Sequence, residues 1–133
     1  MDKTKKEFYH VLDEYYYTLW VNYKLGNIKL EDLPDDPKIE KEFRANTFAA
    51  HLLVPTDELL KLVGGEKNLI KSFDSHKLEE LSEYFGVEEV IIIIQLRYLI
   101  EETNKKKKKQ KVKILVDSVK GNVIKLKSKK EDY

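Results

Sequence analysis

Apolar residues fall at helical spacing through most of this chain, and glycine or proline closes each stretch. Phe8, Leu12, Tyr15, Leu19 and Tyr23 recur every three or four residues, and Val11, Tyr16 and Trp20 widen the stripe. That period places them on one face of an α-helix from about Lys3 to Leu25, with Gly26-Asn27 as its stop. Residues 27–36 read as a loop containing acids and Pro34. Asp36-Pro37 then reads as an N-cap followed by proline at the first helical position, opening a helix to Val54, before Pro55. Thr56 caps a short helix with Asp57 and Glu58 in its first turn, where the helix dipole favours acids, and Gly64-Gly65 breaks it. A short helical piece is expected over 66–73. Ser75 opens a further helix to Tyr84 or Phe85, and Gly86 turns the chain.

Val90 to Ile94 places five β-branched residues in a row, which also suits a buried strand. The polar flanks Glu88-Glu89 and Gln95-Leu96-Arg97 favour a buried helix from Glu88 to about Thr103. Beyond it, Lys105 to Lys109 is a solvated lysine run. KVKILVDSV and NVIKLKSK alternate apolar and polar residues around Lys120-Gly121-Asn122, the pattern of a β-hairpin over about 111–128. An isolated hairpin is marginal in water, so it is expected to dock on the helical body or on another chain. The expected fold class is α+β, mainly α: four to five helices with a two-helix core and a C-terminal hairpin. Residues 1–103 form the helical domain, and 104–133 pack on that same domain.

The net charge of +1 conceals an asymmetry. Residues 1–103 carry 13 Lys and Arg against 21 Asp and Glu, whereas residues 104–133 carry 12 Lys against three acids. The halves attract each other or solvate separate faces, or else the tail meets an anionic partner. With 37% charged residues and no apolar run of membrane-spanning length, no membrane association is expected. Cysteine is absent, which removes disulfides, thiolate metal sites and cysteine nucleophiles, and fits a reducing cytoplasm.

Chemistry concentrates on the first two helices. Glu42, Ala45, Ala49 and Leu53 share a face of the second, so a carboxylate lies in line with small residues that let another helix approach. A buried carboxylate needs a cation, a donor or a metal; the alternative is that Glu42 lies outside the seam and is solvated. The first helix offers Asp13 and Tyr17 one turn apart, and His10 and Glu14 on a neighbouring line.

The segment EFRANTFAAHLLVP, Glu42 to Pro55, resembles the signature of the ImmA/IrrE-type zinc peptidase family. Glu42, Ala45, Asn46, Phe48, Ala49, Ala50, Leu52, Leu53 and Pro55 match, and Val54 replaces the usual Met. LEELSEYFGVEEVIIIIQLRYL resembles the family's later helices, so the resemblance covers roughly residues 7–100. It implies a zincin-like two-helix core in which an HExxH helix precedes the Glu-x-x-Ala motif. Two histidines one turn apart bind zinc, the glutamate between them activates the bound water, and the later glutamate completes the ligands. Here the corresponding residues are DEYYY. Asp13 takes the first histidine position, Glu14 the general-base position and Tyr17 the second histidine position, while Glu42 keeps the third-ligand position. A phenol is a poor zinc ligand at neutral pH, although Asp13 and Glu42 could hold a hard divalent cation weakly. His10, His51 and His76 do not restore the pair.

The resemblance also implies a small sheet before the HExxH helix. With the first helix beginning near Met1, the hairpin is expected to cover the surface that sheet would have covered. The leading functional expectation is a catalytically inactive member, without zinc or other cofactor, that binds a protein partner. The family context of mobile elements and stress regulation suggests a helix-turn-helix regulator. Tyr17 would then donate its hydroxyl to Glu42 or Glu14. The second is a metal-dependent endopeptidase using Asp13, Glu14, Glu42 and His10 with zinc or another divalent cation. The third is non-specific, salt-sensitive nucleic-acid binding by Lys105, Lys106, Lys107, Lys108 and Lys109. Val90 to Ile94 is too apolar for a recognition helix. Tyr15 and Tyr16 are expected to pack with Trp20.

Overall fold

The computed structural model describes residues 14–131, with side chains to residue 119. Among them the order is α1 Glu14–Lys24, α2 Ile39–Leu53, α3 Thr56–Val63, α4 Ser75–Phe85 and α5 Glu89–Glu131. Short 3-10 turns lie at Leu30–Asp32, Glu66–Asn68 and Ile70–Ser72. The chain divides into two compact units, residues 1–100 and 101–133.

In the first unit the punctuation works as its chemistry requires. After α3, Gly64 adopts φ +87° and closes the helix in the left-handed conformation; a Cβ there would lie 2.7 Å from Asn68 Nδ2. Gly86 does the same after α4 at φ +67°, and the Val87 N–H returns to the Ser82 carbonyl at 3.1 Å. Asp36 lies two residues before the N-cap of α2, Lys38: its Oδ1 accepts the Lys38 N–H at 2.9 Å, and regular helix begins at Ile39.

The core gathers Trp20 from α1, Ala50 and Val54 at the end of α2, Leu59 and Val63 from α3, and Leu81 and Phe85 from α4. The apolar run Ile91, Ile92, Ile94 and Leu96 completes it. That run is a buried helix, not a strand. Buried on nearly all sides, α5 here needs no amphipathic pattern.

The expected C-terminal hairpin does not form. Residues 111–128 are helical, within α5, and no strand occurs among the described residues, so the fold is all-α there rather than α+β. The alternation that suggests strands is confined to two four-residue stretches, Lys111 to Ile114 and Ile124 to Lys127. Leu115 and Val116 break the first, while Val112, Val116 and Val119 follow the helical period that prevails. Gly121-Asn122, read as a turn, lies inside the helix, where glycine costs only about 1 kcal/mol relative to alanine. With no hairpin, the expected cover for the first helix falls away as well. No helix among the described residues is long and apolar enough to cross a membrane.

Candidate functional site

The α1 helix packs against α2 through aromatic residues. Trp20 is fully buried, and its Nε1–H donates to Thr47 Oγ1 on α2 at 3.1 Å. Tyr23 stacks on Phe43 with ring centroids 5.6 Å apart. Tyr17, one turn before Trp20, holds its ring 6.0 Å from the indole. The two ligand-bearing elements of the expected site are therefore neighbours, joined by rings.

The three tyrosines divide by direction. Tyr15 is exposed, contrary to the expectation that it packs with Trp20. Tyr16 donates its hydroxyl to Asp36 Oδ2 at 2.7 Å, which ties α1 to the loop before α2. That bond and the Lys38 N–H hold the Asp36 carboxyl below its usual range. Tyr17 is half-buried, and its phenol is pushed up to about 12, first by burial and then by the negative charge of Glu88.

Glu14, at the general-base position, is exposed. Glu42 is half-buried on α2, one turn before the buried Asn46. Among the described residues neither glutamate makes a side-chain hydrogen bond or ion pair. The expected Tyr17 bond to Glu42 or Glu14 is thus absent there. Asp13 and His10 lie outside the described residues. Among those described, no three His, Asp or Glu side chains gather to hold a metal ion. The seam also differs from expectation. Of the expected face, Ala49 is buried and Leu53 half-buried, but Ala45 is exposed, and α2 buries Ile39, Asn46 and Ala50 as well.

Three residues that the sequence presents only as helix flanks act on other elements of the first unit. Glu88 supplies the charge acting on Tyr17. Gln95, buried beside the isoleucines, donates Nε2–H to the Val54 carbonyl at 3.1 Å and lies 3.2 Å from His51 Nδ1. Arg97 Nε donates to the Lys24 carbonyl at 3.2 Å, satisfying the C-terminus of α1. A glutamine among apolar residues is the one signal that could have marked such a site, because a buried amide needs partners. His51 also meets Tyr98 edge-on at 4.7 Å, and burial, then the charge of Lys24, lowers its pKa. His76 is exposed. In the second unit, Lys105 to Lys109 are exposed on α5, with Lys105 3.3 Å from Glu102.

This helical body carries the Glu42-x-x-Ala45-Asn46 signature beside an aromatic first helix, the arrangement of a metallopeptidase-like protein. The model of the Peptidase_M78 family, described as the IrrE N-terminal-like domain, matches residues 15–97, more than half of the chain, and the protein belongs to that ImmA/IrrE-type family. The match begins at Tyr15, so Asp13 and Glu14 precede it. No curated protein and no solved structure matches the chain.

Proposed function

We propose that this protein is a catalytically inactive member of the IrrE-like family that works by binding a protein partner, a helix-turn-helix regulator in the reading its family suggests. The observation that carries this is the fate of Tyr17. The residue at the second histidine position is a half-buried ring packed toward Trp20, and burial, then the charge of Glu88, pushes its phenol up to about 12. The donor set does not fit the tetrahedral zinc centre that the family implies. Such a centre takes His, Cys, Asp or Glu, and the pair one turn apart here is a carboxylate and a phenol. Glu14 is left as a base with no metal-bound water to activate.

A binding role draws support from α2 itself. Phe48 and Leu52, both signature residues, are 67% and 59% exposed one turn apart, and Ala45 opens the same face. An apolar strip on a helix of this kind suits contact with another protein.

The test is cleavage of a purified helix-turn-helix repressor in the presence of Zn²⁺, comparing the protein with Glu14→Gln. No cleavage by either, with complex formation retained by both, is expected. Zinc-dependent cleavage that Glu14→Gln abolishes would establish the peptidase reading instead.

A further inference from the structure

The second unit contains a single helix, and its side chains from 104 to 119 are exposed throughout. Its apolar residues are not scattered. Val112, Val116 and Val119 are 58%, 44% and 60% exposed and follow steps of four and three residues, with Leu115, 64% exposed, beside them. In the sequence the same steps continue to Val123 and Leu126. That is the a/d spacing of a helix whose partner is another helix. Lys106 and Lys113 lie along one edge of this line, and in the sequence the seven-residue interval repeats at 120 and 127. A shallow groove on the helix is lined by Val112 and Val116 with Lys108, Lys109, Lys113 and Asp117 at its sides.

We infer that this face of α5 docks an acidic amphipathic helix from a protein partner. Its core residues would fill the Val112–Val116–Val119 line, and its glutamates would meet the lysine edge. The helix needs such a partner. Like charges four residues apart, β-branched valines and Gly121 all weaken it in isolation. A second copy brings lysines to the same edge, so the charge pattern selects an acidic occupant over self-pairing. A lipid surface is a poorer match, because interfacial helices bury Trp, Phe and Leu, while residues 101–133 contain no Trp or Phe and only two Leu. Nucleic acid would use the lysines and leave the valines in water. The inference is independent of whether the α1 site holds metal.

The experiment uses the full chain and fluorescence anisotropy. One labelled four-heptad peptide has Val and Leu at its core positions and Glu on both flanks; its counterpart has Lys on the flanks. The Glu peptide is expected to bind and the Lys peptide not. Val116→Asp should weaken binding at least about tenfold, since it places a charge in the apolar seam. Ile114→Asp, on the opposite side of the helix, should stay within about twofold. The double variant Lys106→Glu/Lys113→Glu should reverse the preference between the peptides. Failure of the Glu peptide to bind, or equal losses in Val116→Asp and Ile114→Asp, would overturn the inference. So would a dimer in sedimentation velocity that Val116→Asp dissolves, or tight binding to phosphatidylglycerol vesicles or duplex DNA that the Glu peptide does not displace.

Discussion

Trp20 and Thr47 fix the first helix on the second: the fully buried indole donates its N–H to the threonine hydroxyl at 3.1 Å. Thr47→Val keeps the shape and removes the acceptor, leaving a buried N–H unsatisfied. The expected loss is about 1–3 kcal/mol, read from the midpoint of urea unfolding. Trp20→Ala, which also opens a cavity, should cost about 3–5 kcal/mol.

Gln95 joins α5 to the end of α2 through the Val54 carbonyl and His51. Gln95→Leu removes both bonds and leaves the carbonyl buried, so a loss of about 1–3 kcal/mol is expected. By contrast, Phe48→Ser should change stability by no more than about 0.5 kcal/mol, because that ring is largely in solvent. The same substitution should abolish capture of the regulator in a pull-down. A stability loss as large as that of Gln95→Leu would show Phe48 to be a packing residue.

His51 makes stability fall in mild acid. Burial, then Lys24, lowers its pKa, so the fold favours the neutral imidazole. That contribution is present above the unfolded value near 6.5 and is lost as pH falls through the lowered folded value. Urea midpoints for the protein and His51→Asn at pH 7.5 and pH 5 should therefore diverge, with the variant losing less. Parallel declines would show that His51 does not govern the loss.

Tyr17 acts at the other end of the scale. Its phenol is pushed up to about 12 by burial and by Glu88, so the fold favours the protonated form. The stabilisation is complete below about pH 10 and disappears between 10 and 12. Absorbance at 295 nm should show a late-titrating tyrosine whose amplitude drops in Tyr17→Phe. Tyr84, raised by its hydrogen bond to Glu58, remains as an internal reference.

Local signals were the legible part of this sequence. Gly64 and Gly86 end their helices because only a left-handed residue closes them there, and the family signature from Glu42 to Leu53 lies on one uninterrupted helix, with Val54 and Pro55 just past its end. The alternating stretches Lys111 to Ile114 and Ile124 to Lys127 suggest a hairpin, but each is short, and the longer helical period through Val112, Val116 and Val119 prevails. Long-range relationships were not legible. Nothing local indicates that Glu88 acts on Tyr17 or that Gln95 reaches Val54, 41 positions earlier. Ala45 was expected in the seam because a one-turn spacing does not say which side of α2 the core occupies; Asn46 is on that side instead.

The central claim is that the DEYYY helix has exchanged a zinc site for packing, and two substitutions reverse the exchange in sequence. Asp13→His together with Tyr17→His writes HEYYH before the retained Glu42. Zinc retained after incubation and desalting, measured by ICP-MS on the protein and on this double variant side by side, tests it most directly. A negligible amount is predicted in the protein and close to one equivalent in the variant. One equivalent of zinc in the unaltered protein would contradict the claim.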